Sequence, residues 1–129
     1  MNTQPVAGLT LGAVLFAAAA GRLPRPRRPR ERDGPLLAAA ACRAAIEELL
    51  WRGALPGLLR RTPTGIAFAM TSTGFVLAHR RHAHGSALVT HALLAVTLGS
   101  VATRRNGLVV AVVAHATYDV LVLLDETPT

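Results

Sequence analysis

Three short stretches set ionisable residues inside otherwise apolar runs. In "EELLWR", Glu47, Glu48 and Arg52 interrupt an alanine- and leucine-rich segment. In "FVLAH", Phe75 and His79 stand one helical turn apart, and in "HATYD", His115 stands one turn before Asp119 on the same face. Glu48 and Arg52 are four apart with the acid first, the favourable order for an ion pair on a helix, so their spacing predicts a structural brace. Glu47 projects about 100° away from Glu48 and does not share that partner, although Arg43, one turn earlier, can reach it. A carboxylate and imidazoles that converge can abstract a proton from water and stabilise an oxyanion, or hold a divalent metal such as zinc. Either route suits hydrolysis, and Glu47, His79 and His115 are the candidate residues for both. A buried ion network that serves helix packing alone is the alternative reading.

The elements that must position these residues are membrane helices. Of the 129 residues, 51% are hydrophobic and 16% are charged. Apolar segments recur at about 5–21, 35–59, 63–79, 86–103 and 107–124, each close to the roughly 17–25 residues that a spanning helix needs. The expected fold is an all-α, polytopic membrane bundle of about five spans. The charges in the second span would cost on the order of 10 kcal/mol against lipid, while its eight Leu and Ile residues return only about 3–4 kcal/mol. That helix must therefore hide its charges against other spans or line a wet cavity. Cys42, the single cysteine, allows no intrachain disulfide and is expected to be a small buried thiol.

The net charge of +7 comes entirely from arginine. Six arginines fill the connector "GRLPRPRRPRERDGP", whose prolines forbid a continuing helix, and Arg60/Arg61, Arg80/Arg81 and Arg104/Arg105 mark the other connectors. If every apolar run spans, the first connector and Arg80/Arg81 share one side, eight arginines against four, and the positive-inside rule makes that side cytoplasmic. The N-terminus is then outside and the C-terminus inside. The first apolar run lacks a preceding positive charge, so it reads as a retained anchor rather than a signal peptide. With five aromatic residues and no basic face interleaved with them, nucleic acid is not an expected partner. The histidines of "HRRHAH", His82 and His84, are weak metal-ligand candidates beside arginines at a membrane surface, and His91 reads as a packing or lumen-facing residue.

The three motifs, in this order, resemble those of the CPBP family of intramembrane proteases, which comprises CAAX proteases and bacteriocin-processing, Abi-like proteins. "EELLWR" matches Glu-Glu-x-x-x-Arg, "FVLAH" matches Phe-x-x-x-His, and "HATYD" matches His-x-x-x-Asn/Asp. The resemblance covers about 36–124. It implies an N-terminal helix and basic connector over 1–34, and a protease core of four motif-bearing helices over 35–129. It also implies an intramembrane endopeptidase in a bacterial plasma membrane, acting on a membrane-associated peptide or protein, with bacteriocin immunity among the family's roles.

Carried onto this chain, the resemblance makes Glu47 and His79 the activators of water and gives His115 and Asp119 the oxyanion. Glu48 and Arg52 become supports. Metal-dependent and metal-free glutamate mechanisms are both implied, the former with Glu47, His79 and His115 as ligands. Asp119 stands where prenyl-protein proteases have Asn; it would have to be protonated to donate to an oxyanion, or else accept from and orient His115. With one span before the motif core, where relatives often have several, two outcomes stay open: activity that needs a homo-oligomer, or no activity. The competing functions are a non-catalytic membrane scaffold or immunity protein, and a proton or ion pathway built on the same acids.

Overall fold

The computed structural model describes residues 3–81, 83 and 85–125; His82 and His84 lie outside the described residues. The described residues form helices α1 (Gln4–Ala20), α2 (Gly34–Glu48), α3 (Leu55–Leu58), α4 (Thr64–His79), α5 (Ser86–Ala102) and α6 (Gly107–Leu124). Among them no strand forms; an isolated bridge joins Pro26 to Asp125. The all-α bundle expected from the apolar periodicity is the fold. α6, 18 residues with a mean hydropathy of 2.0, is the one described helix long and apolar enough to cross a membrane, and α1 and α5 are apolar helices of 17 residues.

The polarity of the bundle is inverted relative to that of a water-soluble domain. Large apolar side chains point outwards along every long helix, among them Val14, Ile46, Ile66, Leu93 and Val122. The interior instead holds Leu94, Leu98 and the small residues Ala44, Ala111 and Ala114, together with the polar Glu48 and His115. An outer surface this apolar is what lipid solvates at no cost. Small residues let the helices approach closely: a Cβ added to Gly12 would lie 2.5 Å from the Ala114 carbonyl oxygen, so α1 seats its backbone directly on α6. α6 also packs against α2 and α5, and α4 packs on α5.

The second apolar segment departs from an ideal helix. α2 passes into a π-helical stretch, Leu49–Ala54, and then into α3. Pro56 has no N–H to offer the carbonyl one α-turn back, and the Leu55 N–H reaches the Leu50 carbonyl five residues away. Gly53 and Pro56 thus account for the widened turn immediately after the two glutamates. At about 1.5 Å per residue, the run from Gly34 to Leu58 is ~37 Å long and α4 only ~24 Å. α4 therefore starts beside α3 and ends short of the start of α2, which brings His79 level with Glu47. Cys42 lies exposed on α2 instead of buried, because α2 meets α6 through the opposite face that carries Ala40 and Ala44.

The Pro/Arg connector is an ordered strap. The Arg22 guanidinium pairs with the Asp125 carboxylate just beyond α6, the Arg25 N–H donates to the same carboxylate at 3.3 Å, and the Arg27 N–H donates to the Leu124 carbonyl at 2.9 Å. Farther along, the Arg27 guanidinium and the Arg30 N–H both donate to Asp33. These two donors, the Arg27 bond first, hold the Asp33 carboxyl down at about 2 from an ordinary 3.8.

Because the folded value lies below the unfolded one, ionised Asp33 stabilises the strap at neutral pH. That contribution is lost as pH falls from about 4 through about 2. Hydrogen-exchange protection of the Arg30 amide is expected to follow this course in the intact protein. In Asp33→Asn it is expected to be low already at pH 7.

Candidate active site

The site is assembled around Phe75, which is completely buried on α4. Its ring lies edge-on to Trp51 at 6.2 Å, 4.4 Å from the His79 ring and 6.0 Å from the His115 ring, and the Arg52 guanidinium sits over it at 4.4 Å. Gly74 makes room for Trp51, since an added Cβ would come within 2.7 Å of the indole. The π-helical turn that carries Trp51 and Arg52 is in this way held against α4 by aromatic and cation–π contacts.

Glu48 forms the buried link beneath. Its Oε1 accepts from Arg52 Nη1 at 3.0 Å and from His115 Nδ1 at 2.8 Å. Glu48 and Arg52 are the brace that their spacing predicts, with side chains 0% and 5% exposed. The bond to His115 was not visible in the sequence, and it gives Glu48 a second task. With Nδ1–H committed to a carboxylate, His115 turns Nε2 towards Glu47. His79 is fixed in the same sense: Nδ1–H donates to the Phe75 carbonyl at 2.8 Å, and Nε2 faces Glu47.

Glu47 Oε2 stands 3.5 Å from His79 Nε2 and 3.9 Å from His115 Nε2. The three residues singled out from α2, α4 and α6 are therefore brought together, within one-water reach. Asp119 is less direct. Its Oδ1 is 3.9 Å from His115 Nε2, whereas Oδ2 accepts from Arg43 Nη2 at 2.8 Å. Arg43 gives its close contact to Asp119 and stands 4.0 Å from Glu47, the partner expected from helical spacing.

Glu47, His79 and Arg43 open on a cavity of about 550 Å³ whose wall also includes Trp51, Ala78 and His91. His91 is a member of the site that sequence reading took for a packing residue. Its ring lies 4.5 Å from that of His79, and its Nδ1–H donates to the Ala87 carbonyl at 2.7 Å. A third histidine on a motif-free helix gave no spacing signal. Among the described residues, no group of three His, Cys, Asp or Glu side chains is arranged to hold a metal ion. The chemistry is accordingly derived from Glu47 and the imidazoles themselves.

Removing one member of the buried pair leaves an uncompensated charge in the bundle. Arg52→Ala is expected to destabilise the protein by about 3–5 kcal/mol. Arg43→Ala, at a side chain 59% exposed whose partner Asp119 is 12% exposed, should cost less than Arg52→Ala, where both partners are buried. Equilibrium unfolding in mixed micelles separates the two, and equal costs would mean that Arg52 is not the buried partner described.

Comparison with curated proteins and with solved structures gives no match. A family model does match: Type II CAAX prenyl endopeptidase Rce1-like, over residues 34–121. The match begins at the first residue of α2 and runs into α6, so it contains every residue of the site. It agrees with the resemblance carried by the three motifs. With two thirds of its length matched, the chain belongs to the Rce1-like family of type II CAAX prenyl endopeptidases, a family of membrane-embedded proteases.

Proposed function

We propose that the protein is an intramembrane endopeptidase that hydrolyses a peptide bond of a membrane-associated protein or peptide without a metal, using Glu47 as the base. The observation that carries this reading is the placement of Glu47 Oε2 at 3.5 and 3.9 Å from two imidazole nitrogens, each aimed by a hydrogen bond through its other nitrogen. A water held between Glu47 and His79 gives its proton to the Glu47 carboxylate as its oxygen attacks the carbonyl carbon. The carbonyl electron pair moves onto oxygen. His115, in its protonated form beside the Glu48 carboxylate, donates Nε2–H to that oxygen. When the tetrahedral intermediate collapses, the C–N bond breaks and Glu47 returns the proton to the leaving amine.

The ion pair with Arg43 makes Asp119 an acceptor. In this scheme it orients its neighbours and does not donate to the oxyanion. α4 ends at His79, followed by Arg80 and Arg81, and this reading puts the site towards the side of the arginine-rich connector. By the positive-inside rule this is the cytoplasmic face, with the N-terminus outside.

Cleavage of a membrane-peptide library by the protein in liposomes tests the assignment. Glu47→Gln, which keeps the shape and removes the base, is expected to lower the rate by about 10²–10⁴-fold while insertion is unchanged. Chelator is expected to leave the parent's rate unaltered. A Gln variant that cleaves like the parent would show that Glu47 is not the base, and loss of activity on chelation would point instead to a metal.

A further inference from the structure

We propose that Arg43 is a catalytic residue of this site, donating a guanidinium N–H to the carbonyl oxygen of the scissile bond as that oxygen gains negative charge. The inference rests on the endopeptidase reading above. It follows from a count of what can donate. Glu47, Glu48 and Asp119 are carboxylates, and two of them are tied to arginines as acceptors. His79 and His91 spend their Nδ1 protons on backbone carbonyls, and His115 spends its own on Glu48. In neutral His79 and His91 that leaves Nε2 without a proton to give, so His115, in the protonated form of the scheme above, is the one imidazole donor among them. A tetrahedral oxyanion forming over Glu47 would then meet a single donor, His115 Nε2–H, among acceptors and lone pairs.

Arg43 corrects this balance. It lies on the cavity wall with Glu47 and His79. Arg52, by contrast, is turned inwards, its side chain 5% exposed over Phe75 and committed to Glu48. Arg43 Nη2 is anchored by Asp119 Oδ2 at 2.8 Å, which joins α2 to α6 and fixes the plane of the guanidinium. A guanidinium has five N–H donors, and the 4.0 Å separation from Glu47 is too long for a hydrogen bond, so donors remain for a substrate. The Arg43 side chain is 59% exposed, so it presents its remaining N–H groups to the cavity while Nη2 keeps its bond to Asp119, which is 12% exposed. Asp119 is thereby a positioning residue that acts through Arg43.

The test uses the full-length protein in liposomes with the peptide that the parent cleaves in the library. Arg43→Gln is expected to lower kcat by about 10²–10³-fold with KM little changed, the loss typical of one oxyanion donor. Arg43→Lys, which keeps the charge but not the fork, should fall between. A phosphonate analogue of the same peptide, which carries the oxyanion charge, should bind Arg43→Gln at least 10-fold more weakly than the parent. The uncleaved peptide should bind alike to Glu47→Gln and to the Glu47→Gln/Arg43→Gln double variant.

In an Asp119→Asn background, where the amide can itself donate, removing Arg43 should cost less than in the parent. Unchanged kcat in Arg43→Gln, alongside an inactive Glu47→Gln, would overturn the role of Arg43 and leave the endopeptidase reading standing. A change in KM alone, or a loss of folding that matches the loss of rate, would overturn it too. Full activity in Glu47→Gln would remove the reading and this inference together.

Discussion

Everything in this bundle depends on finding partners for one carboxylate. Glu48 is completely buried among apolar helices, and an ionised carboxyl there is tolerated only if its charge is met on the spot. Arg52 meets it from the next turn of the same segment, and His115 meets it from α6. The second contact costs α2 and α6 their freedom to slide or rotate past each other, and Phe75 closes the remaining side by holding Arg52 under its ring. Glu47, on a different face of the same turn, inherits a fixed place from this arrangement. The residue proposed to act is positioned by a neighbour that does not itself face the cavity.

A membrane environment changes what such a link is worth. In water, a domain of this size would be held chiefly by burying large apolar side chains, but here those side chains face outwards, where lipid is as good a neighbour as another helix. Cohesion passes instead to close contacts of small residues, as where α1 seats Gly12 on α6, and to a few polar links. The Arg43–Asp119 pair, the Glu48 network and the Arg22–Asp125 strap all tie an earlier part of the chain to α6 or its end.

Much of this was legible in the sequence, for identifiable reasons. Glu48 with Arg52 is an i,i+4 relation, set by one helix, and spacing alone recovers it. The convergence of Glu47, His79 and His115 was legible through the penalty each pays in lipid and through the order of the three motifs. What spacing could not give was any relation fixed by the rotation of one helix against another. Arg43 can reach Glu47 on its own helix, as spacing allows, but its closer bond runs across to Asp119. His91 passed for a packing or lumen-facing residue because α5 carries no other ionisable side chain. Phe75 was read as the companion of His79, whereas burial makes it the common neighbour of Trp51, Arg52 and both motif histidines. The π-helical turn was hidden as well: Gly53 and Pro56 were present in the sequence, but a kink, a break and a widened turn would all have used them.

The central place of α6 also has a consequence in time. A chain leaves the ribosome from its N-terminus, so α6 emerges after every helix that packs on it. Until then the Glu48–Arg52 pair lacks its imidazole, the carboxylate of Asp125 is not there to catch Arg22, and the glycine face of α1 has nothing to seat against. The earlier helices must wait in the translocon or at its edge as a loosely paired set. The links that α6 completes can form only once the segment that carries His115 and Asp119 has arrived.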